Sequence, residues 1–348
     1  MSRRQPEIES TSRLPKYDRR RFGAIAVAAG MAASLLPASA GGGIGPNFLP
    51  QPEGSGGVPA LVGFADYGLD PSDEVQILVN RGEEQLGTKI ARLSVRWALG
   101  MTTLDSTEEQ MVSQADELMT NEVVLYTLSA DQGQDIPDTP QELSEFSQWV
   151  QSLAVHPSAR FIEAWNEPDY RLFNDPRDKN GNPVPIAQRA KDYGLLQIAA
   201  YRAIHQVRPD AVVIAGSLAH DSETFMKYLT PVVQGQKDAD ALSFHYPSSA
   251  KDYLRRAKIL RRAFGNLPIW ITEDGSNLPN PIDRANDTRR KIMLANEMGA
   301  KALVILQIQN RKNLPLWRTG AYDDDWQMLP TGTVIKEMAT ANPGDINK

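Results

Sequence analysis

Arg160-Phe-Ile-Glu-Ala-Trp-Asn-Glu-Pro-Asp169 is the stretch from which the fold can be inferred. It begins with a short apolar run that predicts a buried strand, and Pro168 ends that strand because proline cannot donate to a strand ladder. Glu167 is therefore expected at the C-terminal end of the strand. Pro268-Ile-Trp-Ile-Thr272 predicts a second buried strand, which is followed by Glu273. If both strands belong to one parallel barrel, the two carboxylates lie at the same mouth.

Short apolar runs alternate with helical patterns along the whole chain after residue 60. Consecutive runs are mostly about 30 residues apart, the length of a βαβ unit. The longest interval follows the fourth run, and its Pro-, Asn-, Asp- and Gly-rich residues 169–188 predict a long loop beside Glu167. Eight such units predict an α/β protein with a single (β/α)8 TIM barrel over residues 59–342, followed by a short tail, 343–348. The eight runs start near Leu61, Ile90, Val123, Arg160, Ala211, Ala241, Pro268 and Ala302.

Helix boundary signals support this count. Ser106-Thr-Glu-Glu109 and Thr139-Pro-Gln-Glu142 have the pattern of capping boxes, which satisfy the first free N–H groups of a helix. Gly87, Gly265 and Gly299 lie where helices should end before the next strand.

The first 58 residues differ from the rest and predict an export signal. Arg19-Arg20-Arg21-Phe22 matches the twin-arginine pattern R-R-x-F, although Asp18 stands where Ser or Thr is usual. The mildly apolar stretch from 23 to 36 follows, and Ala38-Ser39-Ala40 offers an A-x-A cleavage site. We therefore predict a signal peptide over residues 1–40 and a Gly/Pro-rich tether over 41–58. An uncleaved anchor is the alternative reading.

Charge and cysteine content exclude several classes of function. Residues 1–40 carry a net +4, so the formal charge of −6 leaves −10 for the remainder, which disfavours nucleic acid as a partner. The chain has no cysteine, which excludes disulfides, thiolate metal sites and a cysteine nucleophile. Its four histidines show no metal-binding spacing, and the glycine-rich residues 41–45 follow no strand as a dinucleotide loop would. We expect neither a metal nor a cofactor.

The two glutamates and their neighbours resemble the retaining glycoside hydrolases of the (β/α)8-barrel clan. The resemblance lies in Trp165-Asn166-Glu167-Pro168 and in a strand-end glutamate, Glu273, 106 residues after Glu167, and it extends roughly over residues 61–341. It implies that Glu167 is the acid/base after strand four and Glu273 the nucleophile after strand seven. It also implies that Asn166 binds the sugar 2-hydroxyl. Glycoside cleavage needs a proton for the leaving oxygen and a partner for the oxocarbenium ion, and two carboxyl groups in different protonation states can supply both.

Other strands supply candidates for binding and support. In Ile90-Ala-Arg-Leu-Ser-Val-Arg-Trp97, the resemblance implies that Arg92 pairs with the nucleophile, while Arg96, on the same face, is the competing candidate. On strand six the clan has a His and a Tyr, the tyrosine bonding to the nucleophile. Here His245 and Tyr246 are adjacent, whereas the usual spacing is His-x-Tyr.

The sugar platform departs further from the clan. Strand eight lacks the tryptophan that many relatives place there, so Trp317 or Trp326 in the following loop is the candidate replacement, and Trp165 is a further substrate-binding candidate. Glu163 is a rival carboxylate four residues before Glu167, and we expect it in a layer inside the barrel. Asp274 is expected to be a neighbour of the site only.

These observations predict an exported retaining glycoside hydrolase that cleaves O-glycosidic bonds of a poly- or oligosaccharide through a covalent glycosyl-enzyme. The alternatives are a non-catalytic carbohydrate-binding barrel and a transglycosylase that remodels polysaccharide. No stable membrane insertion is expected once the signal is cleaved.

Overall fold

The computed structural model describes residues 60–65, 71–120, 122–130, 136–170, 182–219, 223–310 and 319–341. The predicted signal peptide, the predicted tether, Trp317 and residues 343–348 lie outside these ranges, as do residues 171–181 of the predicted long loop.

Eight parallel strands pair in sequence order and close on themselves, with β1 bonded to both β2 and β8. Each strand begins within one residue of its predicted start, so the predicted TIM barrel is confirmed. Their bounds are β1 Leu61–Ala65, β2 Ile90–Trp97, β3 Val123–Ala130, β4 Phe161–Glu163, β5 Val212–Leu218, β6 Ala241–His245, β7 Ile269–Asp274 and β8 Ala302–Ile305.

Helices connect the strands and form the outer layer. The first, α1 (Pro71–Ile77), continues through a π-helical turn (Leu78–Glu83) and a last turn, Glu84–Leu86. A 3₁₀ turn, Gly235–Lys237, precedes β6. The other helices within the described ranges are α2 Ser106–Leu118, α3 Pro140–Ala154, α4 Ile186–Val207, α5 Glu223–Leu229, α6 Ala250–Phe264, α7 Pro281–Glu297 and α8 Pro330–Ala341.

The predicted helix boundaries hold with one correction. Helix α3 has the capping box of Thr139-Pro-Gln-Glu142. The box of α2 was predicted one residue too late, because Asp105 is the N-cap: its carboxylate accepts the N–H groups of Thr107 and Glu108. Ser106 is thus already the first residue of the helix. The three predicted stop glycines follow helices and have positive φ values of 73°, 85° and 68°.

Two layers of side chains fill the inside of the barrel, and the site lies on the polar one. Apolar side chains fill the end of the barrel at which the strands begin, so the barrel is not a pore. Polar and charged side chains form the next layer toward the C-terminal ends of the strands. The apolar layer includes Leu61, Ile90, Leu125, Ile214, Trp270 and Val304. The polar layer comprises Arg92, Thr127, Glu163, Ser243 and Thr272, all at most 1% exposed.

Among the described residues, no helix combines the length and the apolar character needed to cross a membrane.

Candidate active site

Glu163 is the centre of the polar layer. Its Oε2 accepts hydrogen bonds from Arg92 Nη2 at 2.6 Å and Thr127 Oγ1 at 2.9 Å. Its Oε1 accepts from Ser243 Oγ at 2.6 Å and Thr272 Oγ1 at 2.7 Å. Burial alone would raise the pKa of Glu163, but the charge of Arg92, with that of His245 and the hydroxyl donors, lowers it below the ordinary value. Glu163 therefore forms the floor of the site, in the inner layer expected from the sequence.

Glu167 lies above this floor, four residues beyond the last ladder residue of β4. The chain still follows β5, because Glu167 N–H donates to the Ser217 carbonyl at 3.1 Å. Its φ of 45° is in the left-handed region, which non-glycine residues adopt rarely, and such strained conformations cluster at functional sites. The Tyr170 N–H then closes a turn on the Glu167 carbonyl at 3.0 Å. This turn fixes the direction in which the carboxylate leaves the backbone.

Glu273 reaches the interior because β7 contains one extra residue. Phe244 and His245 are consecutive on β6, yet they pair with Ile271 and Glu273, which are two apart. The register with β8 shifts over the same residues. Such bulges often re-aim a side chain beside an active site. As a result, Thr272 and Glu273 both point into the barrel although they are neighbours in sequence.

Tyr246 reaches Glu273 in spite of its unusual spacing from His245. Consecutive strand residues point to opposite faces, but Tyr246 leaves β6 with a φ of 49°. Its hydroxyl thereby donates to Glu273 Oε2 at 2.5 Å, and its N–H donates to the Glu273 carbonyl at 2.9 Å. The left-handed conformation of Tyr246 therefore lets its hydroxyl reach Glu273 although Tyr246 directly follows His245.

Arg92 links the floor to both upper groups. Its guanidinium contacts Glu163, donates from Nη1 to Glu273 Oε1 at 2.5 Å, and donates from Nη2 to Asn166 Oδ1 at 2.8 Å. Arg96, the competing candidate, is half-buried instead, and its backbone N–H binds Glu108 Oε1 on α2. Of the two arginines, Arg92 therefore occupies the position that faces Glu273.

The carboxylates of Glu167 and Glu273 face one another. One oxygen of each lies within 4.8 Å of the other and of a ring nitrogen of His245. His245 Nδ1 is 2.8 Å from Glu167 Oε1 and 3.7 Å from Glu273 Oε2, and its Nε2 is 3.0 Å from Ser217 Oγ. All of these groups are at most 4% exposed. The pair is thus close, buried and bridged by one imidazole.

The surroundings of Glu167 favour its protonated form. Burial is the main cause that raises the pKa of Glu167 to about 7, and the negative charges of Glu273 and Asp169 act in the same direction. The hydrogen bond and charge of His245 oppose the rise without cancelling it. For His245, burial would lower the pKa, but Glu273 and Glu167 outweigh it and raise the pKa. Glu167 and His245 therefore compete for a proton.

The same three side chains have the spacing of a possible cation site. The described contacts nevertheless pair His245 Nδ1 with Glu167 and both oxygens of Glu273 with Arg92 and Tyr246. Because a guanidinium lies against Glu273, the donor set suits hydrogen bonding better than metal binding. We assign none of these residues as a metal ligand.

Two of the three tryptophan candidates, Trp165 and Trp326, pack against residues outside this centre. Trp165 is buried in the outer core and packs edge-on against Phe146 of α3 at 6.1 Å, so its predicted contact with substrate is not supported. The reason is direction: the motif turns Glu167 inward while Trp165 points outward to the helices. Trp326 packs on Arg81 and Tyr322. Trp317 lies outside the described residues, and its predicted role stays a prediction.

Ser217 lies near the centre and is not among the site residues predicted from the sequence. It lies at the end of β5, where the register with β6 shifts, and it contacts the backbone of Glu167 and the ring of His245. A strand-end serine after a glycine, Gly216-Ser217, is the only signal in the sequence, and it is too common to be predictive.

Comparison with known proteins shows the fold. No protein-family model matches the sequence, and no curated protein matches it. Solved structures do match. A family 39 glycoside hydrolase from Bacteroides cellulosilyticus WH2 has a TM-score of 0.59 and 16% identity over 82% of this chain and 64% of that chain. A glucosidase from Croceicoccus marinus has a TM-score of 0.59 and 13% identity, over 82% and 68%.

An exo-β-1,4-mannosidase from Opitutaceae bacterium strain TAV5 has a TM-score of 0.55 and 17% identity over 82% of this chain and 59% of that chain. The chain thus spans less than two thirds of the family 39 enzyme and of the mannosidase. At these identities the likeness concerns the barrel alone.

Proposed function

We propose that this protein is a retaining glycoside hydrolase that cleaves O-glycosidic bonds of a poly- or oligosaccharide. One observation carries the proposal: two facing carboxylates, Glu167 and Glu273, lie at one mouth of the barrel in contrasting surroundings. Their closest oxygens are within 4.8 Å. This fits the separation of about 5–5.5 Å in retaining enzymes better than the 6.5–9.5 Å of inverting ones.

Glu167 is proposed as the general acid/base. A group that must give up a proton and later take one back works best with a pKa near the working pH. Burial raises the pKa of Glu167 to about 7. In the first step, protonated Glu167 gives its proton to the glycosidic oxygen as the bond to the anomeric carbon breaks. In the second step, ionised Glu167 removes a proton from the attacking water.

Glu273 is proposed as the nucleophile. Arg92 donates to Oε1 and Tyr246 to Oε2, so both oxygens are held in fixed directions. The guanidinium favours the ionised carboxylate, which attacks the anomeric carbon and forms a glycosyl-enzyme. Asn166 is proposed to bind the sugar 2-hydroxyl beside that carbon, and its hydrogen bond from Arg92 Nη2 supports this role. Water then breaks the ester and releases the sugar with its original configuration.

The names of similar structures support a sugar substrate. They include a glucosidase and an exo-β-1,4-mannosidase that share this barrel. Because these likenesses are distant, we take from them only the substrate class.

Chemical rescue tests the two roles separately. Glu167→Ala should lose most activity on natural linkages, where acid/base catalysis contributes roughly 10²–10⁴-fold. On an aryl glycoside whose leaving group needs no proton, this variant should accumulate the glycosyl-enzyme. Azide, which needs no base, should then release a glycosyl azide of retained configuration. Glu273→Gly has no nucleophile, so azide should enter from the vacated side and give the inverted azide. Product configuration is read by NMR.

Glu109→Ala on α2 is the matched control, since Glu109 is an exposed glutamate whose side chain is 53% exposed. It should behave as wild type. The same azide anomer from both site variants, or exchanged roles, would contradict the assignment. If wild-type protein bound glycans but hydrolysed none of a broad glycoside panel, a carbohydrate-binding barrel would replace the proposal.

We also propose that the protein is exported to the periplasm or beyond by a twin-arginine signal. The support is Arg19-Arg20-Arg21-Phe22 followed by Ala38-Ser39-Ala40, all of which lie outside the described residues.

A further inference from the structure

Ser217 connects three parts of the candidate site from the end of β5. Its carbonyl accepts the Glu167 N–H at 3.1 Å, and its own N–H donates to Ser243 Oγ at 2.8 Å. Its hydroxyl lies 3.0 Å from His245 Nε2. Ser217 has a φ of 49° and is fully buried. A buried non-glycine residue in this backbone conformation is costly, and such conformations cluster at functional sites.

Among the described residues, the Ser217 hydroxyl contacts His245 Nε2 and can hydrogen-bond to it in each protonation form of the imidazole. A serine hydroxyl can both donate and accept, whereas imidazole nitrogens change role with protonation. When Glu167 is protonated, or when His245 is charged, Nε2 carries a hydrogen and Ser217 Oγ accepts it. When Glu167 is ionised and His245 is neutral, Nδ1–H donates to Glu167, and the bare Nε2 accepts from the Ser217 hydroxyl.

We propose that Ser217 is a positioning residue that holds His245 against Glu167 through the whole acid/base cycle by reversing its hydrogen bond to Nε2. The catalytic role of Ser217 rests on the proposed function, whereas its hydrogen bond to His245 is independent of that function. Neither Ser217 nor His245 is exposed, so bulk water cannot take over the role of the hydroxyl.

The protonation of His245 depends on the charged groups around it. Within the described residues, three carboxylates act on His245: Glu163 of β4, Glu167 in the turn after β4, and Glu273 of β7. The Arg92 guanidinium of β2 is the positive group that acts on it. The centroid of the Tyr246 ring lies 5.6 Å from that of the imidazole. The carboxylates favour the charged imidazole, while burial and Arg92 oppose it. Ser217 supplies the neutral partner at the ring nitrogen that faces away from Glu167.

Removing the Ser217 hydroxyl should change the pH at which the Glu167–His245 pair loses its shared proton. Hydrogen bonds made by a charged group are stronger than those between neutral groups. Loss of the acceptor therefore destabilises the forms with Nε2–H more than the form with a bare Nε2. The Glu167–His245 pair should then lose its shared proton at a pH lower by about one unit.

The test uses full-length protein labelled with ¹⁵N-histidine, in which four histidines give few signals. In wild type, the His245 signals from pH 5 to 9.5 should change from protonated Nε2 to bare Nε2 with protonated Nδ1. In Ser217→Gly, this change should occur at a pH about one unit lower than in wild type, and Ser217→Ala should show the same shift. Glycine tolerates a φ of 49°, so Ser217→Gly removes the hydroxyl without added backbone strain. Ser147→Ala on α3 is the control.

Three results would overturn the proposal: a wild-type Nε2 that stays protonated to pH 9.5, an unchanged His245 titration in both Ser217 variants, or an equal shift in Ser147→Ala. The first needs no variant, so the proposal stays testable even if both variants fold poorly. These spectra require no substrate. If wild type hydrolyses no glycoside, the proposed function fails while the spectra still decide the role of Ser217. If hydrolysis is found, its alkaline limb should shift in parallel with the NMR titration.

Discussion

Glu167 and Glu273 are the same residue type, and their neighbours make them different. Glu167 receives the imidazole of His245, and two further carboxylates lie near it. Glu273 receives a guanidinium and a phenol, one on each oxygen. An acid and a nucleophile need such unequal surroundings, since one carboxyl must hold a proton while the other has none.

The pH dependence of hydrolysis follows from Glu167. Its pKa is raised to about 7, so the protonated acid is lost as the pH rises through that value. On a natural linkage, kcat/KM for wild type should fall above about pH 7, roughly tenfold per unit. In Glu167→Gln, assayed on an aryl glycoside whose leaving group needs no proton, the glycosylation step should lack this limb. Burst kinetics across pH 5–9 would measure it, and a limb that persists in the variant would assign it to another group.

At the scale of elements, the sequence predicted the strands well and the shape of their ends poorly. Period and spacing determine where buried strands start, so all eight starts were within one residue. The resemblance to the glycoside hydrolases likewise indicated Glu167, Glu273 and Arg92, which the structure brings together. The extra residue in β7 could not be predicted, because a bulge leaves no mark in composition. The left-handed turns at Tyr246 and Ser217 were missed for the same reason.

The end of β7 is tied to helix α7 by a buried ion pair. Lys291 Nζ binds Asp274 Oδ1 and also donates to the Gly275 carbonyl at 2.7 Å. Asp274 is 1% exposed, and burial raises its pKa, although Lys291 opposes the rise. Asp274 follows Glu273 directly. The ion pair with Lys291 therefore fixes the bulge on the helix side, while the hydrogen bonds from Arg92 and Tyr246 to Glu273 fix it inside the barrel.

Removing one member of this pair should destabilise the protein strongly. Lys291→Met leaves a buried carboxylate without its cation, and the free energy of unfolding should fall by about 3–5 kcal/mol. The double variant Lys291→Met/Asp274→Leu should recover most of that loss, because neither charge then remains buried. Arg290→Met, which breaks an exposed pair with Asp287, is the control and should cost less than about 1 kcal/mol. Urea unfolding at pH 7 measures all three, and equal losses in Lys291→Met and Arg290→Met would contradict the buried-pair account.

At the scale of the whole molecule, charge divides the chain. Residues 1–40 carry +4 and the remainder −10, and no cysteine occurs in either part. A protein that folds before it crosses the membrane has no opportunity to form disulfides in the oxidising compartment first. The absence of cysteine therefore suits the proposed twin-arginine route, which carries folded proteins. The N-terminal segment is therefore basic, whereas the rest of the chain is acidic.

Export should depend on one pair of arginines and not on basic charge in general. Arg19→Lys/Arg20→Lys keeps every positive charge but removes the R-R-x-F pattern, so precursor should remain in the cytoplasm. Arg3→Lys/Arg4→Lys is the matched control, because that arginine pair has no Phe two residues later, and its export should be normal. Cell fractionation, with the size of the accumulated protein read on a gel, measures both. Unchanged export of the first variant would favour the general secretory route, and equal retention of both would show that export depends on arginines in general and not on the pair before Phe22.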